Sequence, residues 1–173
     1  FRFYAADCPQ DLNVPVIHDH LYDIPISQVR VDYSVPWVLR TERAISSAYD
    51  SSAFFEYYRD DLFSILESQP ETLFELDLKL IQFYLDKIGI ATVLRPTEEY
   101  IPACPENSEA GPYGQDFREL LHPKKPDTVL ADLGLEKPYF QVFARKHGFV
   151  PNLSIMDLLF NEGPDSISYL KKI

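Results

Sequence analysis

The chain has 173 residues, 46% of them hydrophobic and 14% aromatic, which is enough apolar material to bury a core and excludes a disordered chain. Its 27 acidic and 16 basic residues give a net charge of −11, which argues against nucleic-acid binding because a phosphate-backbone footprint needs clustered Lys and Arg. No apolar run approaches the roughly 20 residues that span a bilayer, so we expect one soluble, cytoplasmic domain over residues 1–173.

Strands are predicted in the first third of the chain. The runs "FRFYA" at residues 1–5 and "LNVPVI" at residues 12–17 flank "ADCPQD", whose Pro and Asp residues are typical of a turn, and this pattern predicts a hairpin. Apolar residues set among polar ones in "ISQVRVDY" predict a third strand over residues 26–33. Because the chain begins at Phe1 within a strand-like run, we also expect that a further segment precedes it in the full gene product.

Three helices are predicted next, from apolar residues at spacings of three and four. The first is "WVLRTERAISSAYDSS", which follows Pro36, a residue suited to a first helical turn. The second is "SAFFEYYRDDLFSILES", for which Ser52 can serve as the N-cap. The third is "PETLFELDLKLIQFYLDKIGI", opened by Pro70 and closed by Gly89. The following "ATVLRP" predicts a short strand that pairs with the earlier sheet.

Loops and short helices are predicted in the rest of the chain. Residues 96–115 are rich in proline and predict a long irregular loop, after which "QDFRELLHPKK" predicts a short helix stopped by Pro123. "KPYFQVFARKHG" predicts a helix that ends at Gly148, and a last helix is predicted to begin at Ser154 and stop at Gly163. The predicted fold class is α+β: a small antiparallel or mixed sheet, built from the N-terminal strands and one short later strand, packed with a mostly helical C-terminal two-thirds.

Three polar residues, Ser154, Asp157 and Asn161, form one stripe of that last helix. The Ser154 side chain can accept a hydrogen bond from the backbone N–H of Asp157, and the Asp157 carboxylate favours the positive end of the helix, so both residues have capping roles. Asn161 is a weak helix former at a position where a solvent-facing helix more often carries Lys or Glu. It either satisfies the helix end or belongs to the wall of a ligand site, and both interpretations stay open.

Motifs of well-defined chemistry are absent from the sequence, including a Gly-rich phosphate loop, HExxH, GxSxG and an EF-hand loop. No metal site is therefore predicted, and the cofactor is unknown. His18 and His20 are interpreted as surface residues, since a third metal ligand would have to come from elsewhere. Cys8 and Cys104 form no CxxC pair and are interpreted as reduced thiols, although a disulfide between them stays open.

Two basic clusters interrupt the acidic chain, and each lies at the C-terminus of a predicted helix. One is "HPKK" with Lys124 and Lys125, and the other includes Lys146 and His147. Cations at such positions stabilise the exposed carbonyl groups of a helix end. The alternative interpretation is a clamp for a phosphate or carboxylate ligand.

The C-terminal string "KPYFQVFARKHGFVPNLSIMDLLFNEGPDSISYL" resembles the signature of the WbqC-like family, and the resemblance extends to "LNVPVI", "VRVDYSVPW", "AISSAYDSSAFFEYY" and "FRELLHPKK". It therefore covers nearly the whole chain. Members of this bacterial family usually carry an N-terminal segment with a Tyr–Phe–Pro–Pro-like motif, which this sequence lacks. It also has "VLRTE" after Pro36 and Trp37, where relatives have a His–Trp pair. If these elements help to form a site, the site is altered here.

The resemblance implies a role in surface-polysaccharide synthesis of the O-antigen type, with acyl or aminoacyl transfer to an amino sugar or nucleotide sugar as the reaction. Such a transfer needs a base for the amine and donors for a developing oxyanion. We expect His147 to be the base and Asp157 to orient it or the sugar hydroxyls. The residues expected to bind substrate are Asn152, Asn161, Lys124, Lys125, Lys146 and Tyr139.

The alternative function is a non-catalytic glycan- or protein-binding accessory factor of polysaccharide assembly. Aromatic residues of "FFEYY" and "PYF" could stack on sugar rings or form a partner surface, although core packing is the favoured interpretation of "FFEYY". A pocket lined by aromatic residues without convergent titratable groups would favour the binding function. The expected partner is a small sugar or nucleotide-sugar ligand, with no nucleic acid and no membrane span, and the sequence predicts no oligomeric state.

Overall fold

An N-terminal hairpin opens the fold in the computed structural model, which describes residues 1–17, 24–99 and 129–171. Strand β1 (Arg2–Tyr4) pairs antiparallel with strand β2 (Pro9–Asp11). The predicted hairpin is confirmed, but its second strand lies earlier than residues 12–17. The reason is a tight turn, closed by a hydrogen bond from the backbone N–H of Ala5 to the carbonyl oxygen of Cys8 (3.2 Å), which brings "PQD" into register at once.

The two other predicted strands are wrong. Within residues 26–33 the chain forms a one-turn 3-10 helix, Ile26–Gln28, and then isolated bridges from Val31 to Val16 and from Arg30 to Thr72. This segment therefore bonds both to residues 15–17 and to the start of a helix, without extending the ladder of β1 and β2. "ATVLRP" at residues 91–96 has no ladder partner among the described residues, and Val93 is 76% exposed, so no sheet covers it.

The three long predicted helices are confirmed as α1 (Trp37–Tyr49), α2 (Phe55–Glu67) and α3 (Leu73–Ile88). Helix α3 begins with a capping box, in which the Thr72 hydroxyl accepts from the Glu75 N–H, and it ends at Gly89 in the left-handed conformation (φ 84°). The predicted Ser52 cap is wrong. The Ser52 hydroxyl instead donates to the carbonyl oxygen of Tyr49 (2.7 Å), and α2 begins only after Phe54.

Short helices make up the C-terminal part: α4 (Val129–Asp132), α5 (Ala144–His147), α6 (Ile155–Glu162), a 3-10 turn (Gly163–Asp165) and α7 (Ser166–Tyr169). The helix predicted over "KPYFQVFARKHG" is wrong except for its last turn, α5, because side-chain hydrogen bonds hold its first half in an irregular path. The last predicted helix is confirmed as α6, with Ser154 as its N-cap and Gly163 as its C-cap. The loop and short helix predicted within residues 100–128 lie outside the described residues.

Helix α6 is the centre of the core. All six residues from 156 to 161 are buried, and the helix contacts α2, α3 and β1. The Phe160 ring packs edge-to-face against Tyr49 (5.2 Å between centroids) and Phe55 (5.1 Å). Full burial of one such side chain contributes about 1.5–3 kcal/mol to folding. The architecture is α+β, as predicted, with a two-stranded sheet and a helical remainder.

Across the described part of the chain, every helix is too short or too polar to cross a membrane.

Candidate functional site

A buried carboxylate, Asp157, lies in the first turn of α6 and is only 1% exposed. Three side chains donate hydrogen bonds to it: the Tyr49 hydroxyl to Oδ1 (2.7 Å), and the Tyr139 hydroxyl (2.7 Å) and the Gln141 amide (3.1 Å) to Oδ2. A buried charge without such partners would cost several kcal/mol. The carboxylate is therefore fully engaged by the protein itself.

Three segments that are distant in sequence bring these donors together. Tyr49 is the last residue of α1, and its hydroxyl oxygen also accepts from the backbone N–H of Tyr4 in β1 (3.4 Å). Gln141 anchors the irregular segment before α5 because its amide donates to the Val150 carbonyl (2.8 Å) and accepts from the Val150 N–H (2.9 Å). The segment thereby loops around the carboxylate of Asp157.

The protonation of this cluster follows from its burial. Burial raises the pKa of Asp157, and the three donated hydrogen bonds oppose that effect without reversing it. Burial also raises the pKa of the Tyr49 and Tyr139 hydroxyls, and the nearby Asp157 charge raises both further. Both tyrosines therefore stay protonated and act as donors at neutral pH.

The polar stripe of α6 faces inward. The Ser154 hydroxyl accepts from the N–H of Met156 (3.4 Å), and not from that of Asp157 as predicted, because the Asp157 N–H donates to the Ser154 carbonyl (2.8 Å). Asn161 is 5% exposed and its amide donates to the Asp157 carbonyl (2.7 Å). Its Oδ1 has no hydrogen-bond partner among the described residues. The stripe is thus buried instead of solvent-facing, and of its three residues only Ser154 lines one of the two cavities described below.

Beside this cluster lies a cavity of about 170 Å³, here called the aromatic cavity. The Tyr139 ring packs edge-to-face on Phe149 (5.4 Å between centroids) and on Tyr169 (5.9 Å) along its lining. Tyr139 therefore belongs to both the carboxylate cluster and the cavity. The remaining lining residues are aliphatic or polar: Leu130, Leu135, Glu136, Lys137, Pro151, Asn152, Leu153, Ser154, Ile155, Leu158 and Leu170.

A second, more open cavity of about 540 Å³ adjoins the first and is here called the lysine cavity. Both cavities are lined by Glu136, Lys137 and Tyr169. The Lys137 ammonium lies 4.7 Å from the centroid of the Tyr169 ring, which is a cation–π contact. Lys171 completes the basic part of the lining, and the other residues are Ala131, Leu133, Gly134 and Ser168.

Comparison with known proteins identifies the family. The model of the WbqC-like protein family matches residues 3–111, which is more than half of the chain. The chain belongs to the WbqC-like protein family. An uncharacterised protein of Mycobacterium tuberculosis, Rv1507c, is 25% identical over 184 aligned positions, which cover 98% of this chain and 79% of that protein. No solved structure matches the chain.

The family match and the candidate site occupy different parts of this WbqC-like chain. The matched residues include the hairpin and α1 to α3, and hence Tyr49, whereas Asp157, Tyr139 and the cavities follow residue 111. The alignment with the mycobacterial protein spans both parts.

The residues predicted to form a site are only partly brought together in this WbqC-like chain. Tyr139 and Asn152 line the aromatic cavity, and Asn152 has a positive φ of 54°. The described hydrogen bonds do not join His147 to Asp157; the exposed His147 ring has Nε2 2.8 Å from the carbonyl oxygen of Ala6.

Lys146, a residue predicted to bind substrate, does not line either cavity in the described structure. The Lys146 ammonium also bonds to Ala6 (3.3 Å) and lies 4.0 Å from the Asp7 carboxylate, so it belongs to the hairpin turn. Lys124 and Lys125 lie outside the described residues, as does Cys104, while Cys8 is exposed and free. Within the described ranges, no group of His, Cys, Asp and Glu could hold a metal ion.

Four important side chains were missed by sequence reasoning: Tyr49, Gln141, Lys137 and Tyr169. Gln141 had a signal, since a single amide within the apolar run "YFQVF" needs a buried hydrogen-bond partner. Tyr49 has the spacing of an ordinary core residue of α1, and only its hydroxyl distinguishes its role. Lys137 and Tyr169 meet through the fold and have no local signal.

Proposed function

We propose that this WbqC-like chain is a carbohydrate-binding factor of bacterial surface-polysaccharide synthesis, and that it holds one ring of its sugar ligand in the aromatic cavity. The observation that carries the proposal is the wall formed by Tyr139, Phe149 and Tyr169. Aromatic rings with a few polar neighbours are typical of ligand sites, because the rings supply contact area and the polar groups fix orientation.

The size of the cavity fits a single ring. A cavity of about 150 Å³ lined by apolar side chains binds benzene, and the aromatic cavity has about 170 Å³. Its polar lining residues, including Asn152 and Ser154, are suited to sugar hydroxyl or acetamido groups. The link to surface polysaccharides rests on the genes with which WbqC-like proteins are associated.

Binding of neutral sugars tests this function. Saturation-transfer NMR with N-acetylglucosamine, N-acetylgalactosamine and glucose should show transfer to at least one sugar. The variant Tyr169→Ala should abolish saturation transfer, because it removes one aromatic ring of the cavity lining. Tyr169 is chosen over Tyr139 because it does not bond to Asp157, so the buried carboxylate cluster stays intact. Tyr57→Ala is the matched control, since Tyr57 is 76% exposed on α2 and lines neither cavity. No transfer to any sugar, or equal transfer in Tyr169→Ala, would contradict the proposal.

Acyl or aminoacyl transfer to an amino sugar is the second candidate, and Tyr139 favours it. Its ring lines the cavity while its hydroxyl bonds to the buried Asp157 (2.7 Å). In that reaction an amine attacks an acyl carbonyl, the carrier leaves, and the amine proton passes to a base. Incubation with glucosamine and acetyl-coenzyme A, followed by mass spectrometry, would detect the acetylated product. Tyr139→Phe should then remove activity, and His147→Ala tests the predicted role of His147 as the base.

A further inference from the structure

We propose that the ligand carries a phosphate or diphosphate group, which binds between Lys137 and Lys171 in the lysine cavity. The inference rests on the proposed function in one respect: the ring of the same ligand occupies the aromatic cavity. It adds the chemical class of the ligand, a phosphorylated sugar, and the residues that recognise its charge.

Adjacency of the two cavities is the first argument. Glu136, Lys137 and Tyr169 line both of them, so the cavities lie side by side and one ligand can contact both. The aromatic cavity has room for about one ring. The lysine cavity is about three times as large and open, which suits a group that keeps part of its hydration.

The charge of the lysine cavity is the second argument. Lys137 is directed toward the junction of the cavities by its contact with the Tyr169 ring (4.7 Å). Neither Lys137 nor Lys171 forms a salt bridge with any residue in the described ranges, and the chain as a whole carries a net charge of −11. Glu136, the one carboxylate of the described lining, is exposed and pairs with neither lysine. Two cations that have no counterion among the described residues favour an anionic ligand.

The type of cation is the third argument. A lysine ammonium is a compact point charge with three donors and can bind the tetrahedral oxygens of phosphate, whereas the planar arginine fork matches carboxylates and phosphates alike. No arginine lines either cavity among the described residues. Nucleotide-linked and lipid-linked sugars both present this sugar-phosphate group, and the two sources are distinguished by experiment below.

Affinity measurements with charged and neutral sugars test the site. Calorimetry at low salt should show that N-acetylglucosamine 1-phosphate binds about tenfold more tightly than N-acetylglucosamine, and that added salt removes most of the difference. Lys171→Gln, at a residue that lines only the lysine cavity, should weaken binding of the phosphorylated sugar about fivefold and leave binding of the neutral sugar unchanged. Lys137→Gln, at a residue that lines both cavities, should weaken the phosphorylated sugar about fivefold more than it weakens the neutral sugar. Lys79→Gln on α3 is the matched control, because Lys79 is exposed and lines neither cavity. Binding of UDP-N-acetylglucosamine and of a short polyprenyl-diphosphate N-acetylglucosamine distinguishes the two sources.

The outcomes separate this inference from the proposed function. Equal affinities for the phosphorylated and neutral sugars, unchanged in both lysine variants, would overturn the phosphate site and leave sugar binding intact. If neither sugar binds but pyrophosphate does, and both lysine variants weaken it, the phosphate site stands and the sugar function fails. Pyrophosphate binding that is indifferent to both variants would overturn the site.

Discussion

Two opposing effects act on the pKa of a single residue, Asp157. Its carboxylate accepts hydrogen bonds from Tyr49, Tyr139 and Gln141, which favour the charged form, and its burial disfavours that form. Burial is the larger effect, so the pKa of Asp157 is raised. The group therefore contributes to the pH dependence of stability in the sense opposite to that of an ordinary salt-bridged carboxylate.

The pH dependence of the free energy of unfolding should show this unusual direction. With a folded-state pKa above the unfolded value of about 3.9, the folded state binds the extra proton. The stability from Asp157 is then fully present below the unfolded pKa and is lost as pH rises through the raised folded pKa. The native chain should gain stability relative to Asp157→Asn, which cannot titrate, as pH falls from about 7 to about 4, by about 1.4 kcal/mol for each pH unit between the two pKa values.

Urea unfolding of both proteins across this pH range measures the difference. Asp50→Asn is the matched control, because Asp50 is exposed after α1 and the same chemical change there removes no buried hydrogen bond. A native advantage over Asp157→Asn that shrinks on acidification would mean that the hydrogen bonds outweigh burial.

The sequence located Asp157 but not its environment. Its position in the first turn of α6 was predictable from Ser154 and Gly163, because helix caps are local signals. Its partners were not, since Tyr49 lies 108 residues away and Tyr139 lies 18 residues away. No local pattern states which hydroxyl will meet a given carboxylate.

The packing of the C-terminus of α6 against the start of α2 depends on a glycine, Gly163. Gly163 ends α6 with φ 54°, a conformation that L side chains rarely adopt. The backbone N–H of Phe54 donates to the Phe160 carbonyl (3.0 Å), which brings the start of α2 against this end of α6. A Cβ atom at Gly163 would lie 2.5 Å from Cδ1 of the Phe54 ring.

Gly163→Ala should therefore lower the free energy of unfolding by about 2–4 kcal/mol, from backbone strain and from collision with Phe54. Gly89→Ala at the end of α3 is the matched control. It has a positive φ as well (84°), but a Cβ there meets nothing within 4 Å, so it should cost only about 1 kcal/mol. Chemical denaturation gives both values.

A double-mutant cycle isolates the collision. Phe54→Ala should cost less stability in the Gly163→Ala background than in the native chain, because the smaller side chain makes room for the new methyl group. Equal costs in the two backgrounds would mean that backbone strain alone explains the loss.

The three long helices were predictable from the sequence, whereas the strands predicted after the hairpin were not formed. Helices α1 to α3 each carry an apolar stripe, such as Leu76, Leu80 and Phe83 in α3. Such a stripe is visible in the local sequence whatever the helix packs against. Val31 instead meets Val16 through an isolated bridge, and Arg30 meets Thr72 at the start of α3. A strand forms only when a second strand pairs with it in register, and the alternating pattern of "ISQVRVDY" contains no information about which segment that would be.

Hydrogen bonds join the N-terminal hairpin to the C-terminal part of the described chain. The Tyr4 hydroxyl donates to the Gly148 carbonyl (2.8 Å), and the Ser154 N–H donates to the Arg2 carbonyl (2.8 Å). The side chains of Lys146 and His147 both bond to Ala6 in the hairpin turn. These long-range contacts explain why the side chains of Lys146 and His147 lie against the hairpin turn.

Buried tyrosines make the whole fold sensitive to alkali. Burial raises the pKa of Tyr49, Tyr84 and Tyr139 well above that of an exposed tyrosine, near 10. In the unfolded chain they ionise at their ordinary pKa, so above about pH 10 the folded state binds more protons and its stability falls as pH rises. We expect these three tyrosinates to appear only when the protein unfolds. Tyrosinate absorbance and circular dichroism, followed together during alkaline titration, should therefore show a late absorbance step that coincides with loss of helix.

The variant Tyr84→Phe tests most directly whether the buried tyrosines ionise only on unfolding. The Tyr84 hydroxyl has no hydrogen-bond partner among the described residues, so its removal costs no described bond and should shrink the late step by one tyrosinate. Removal of an unpaired buried polar group should also leave the protein as stable as before or slightly more stable. Tyr57→Phe removes a hydroxyl from an exposed ring on α2 and should leave the late step unchanged. Complete tyrosinate formation before any loss of helix would show instead that water reaches these hydroxyls in the folded protein, and that the core around α6 is open.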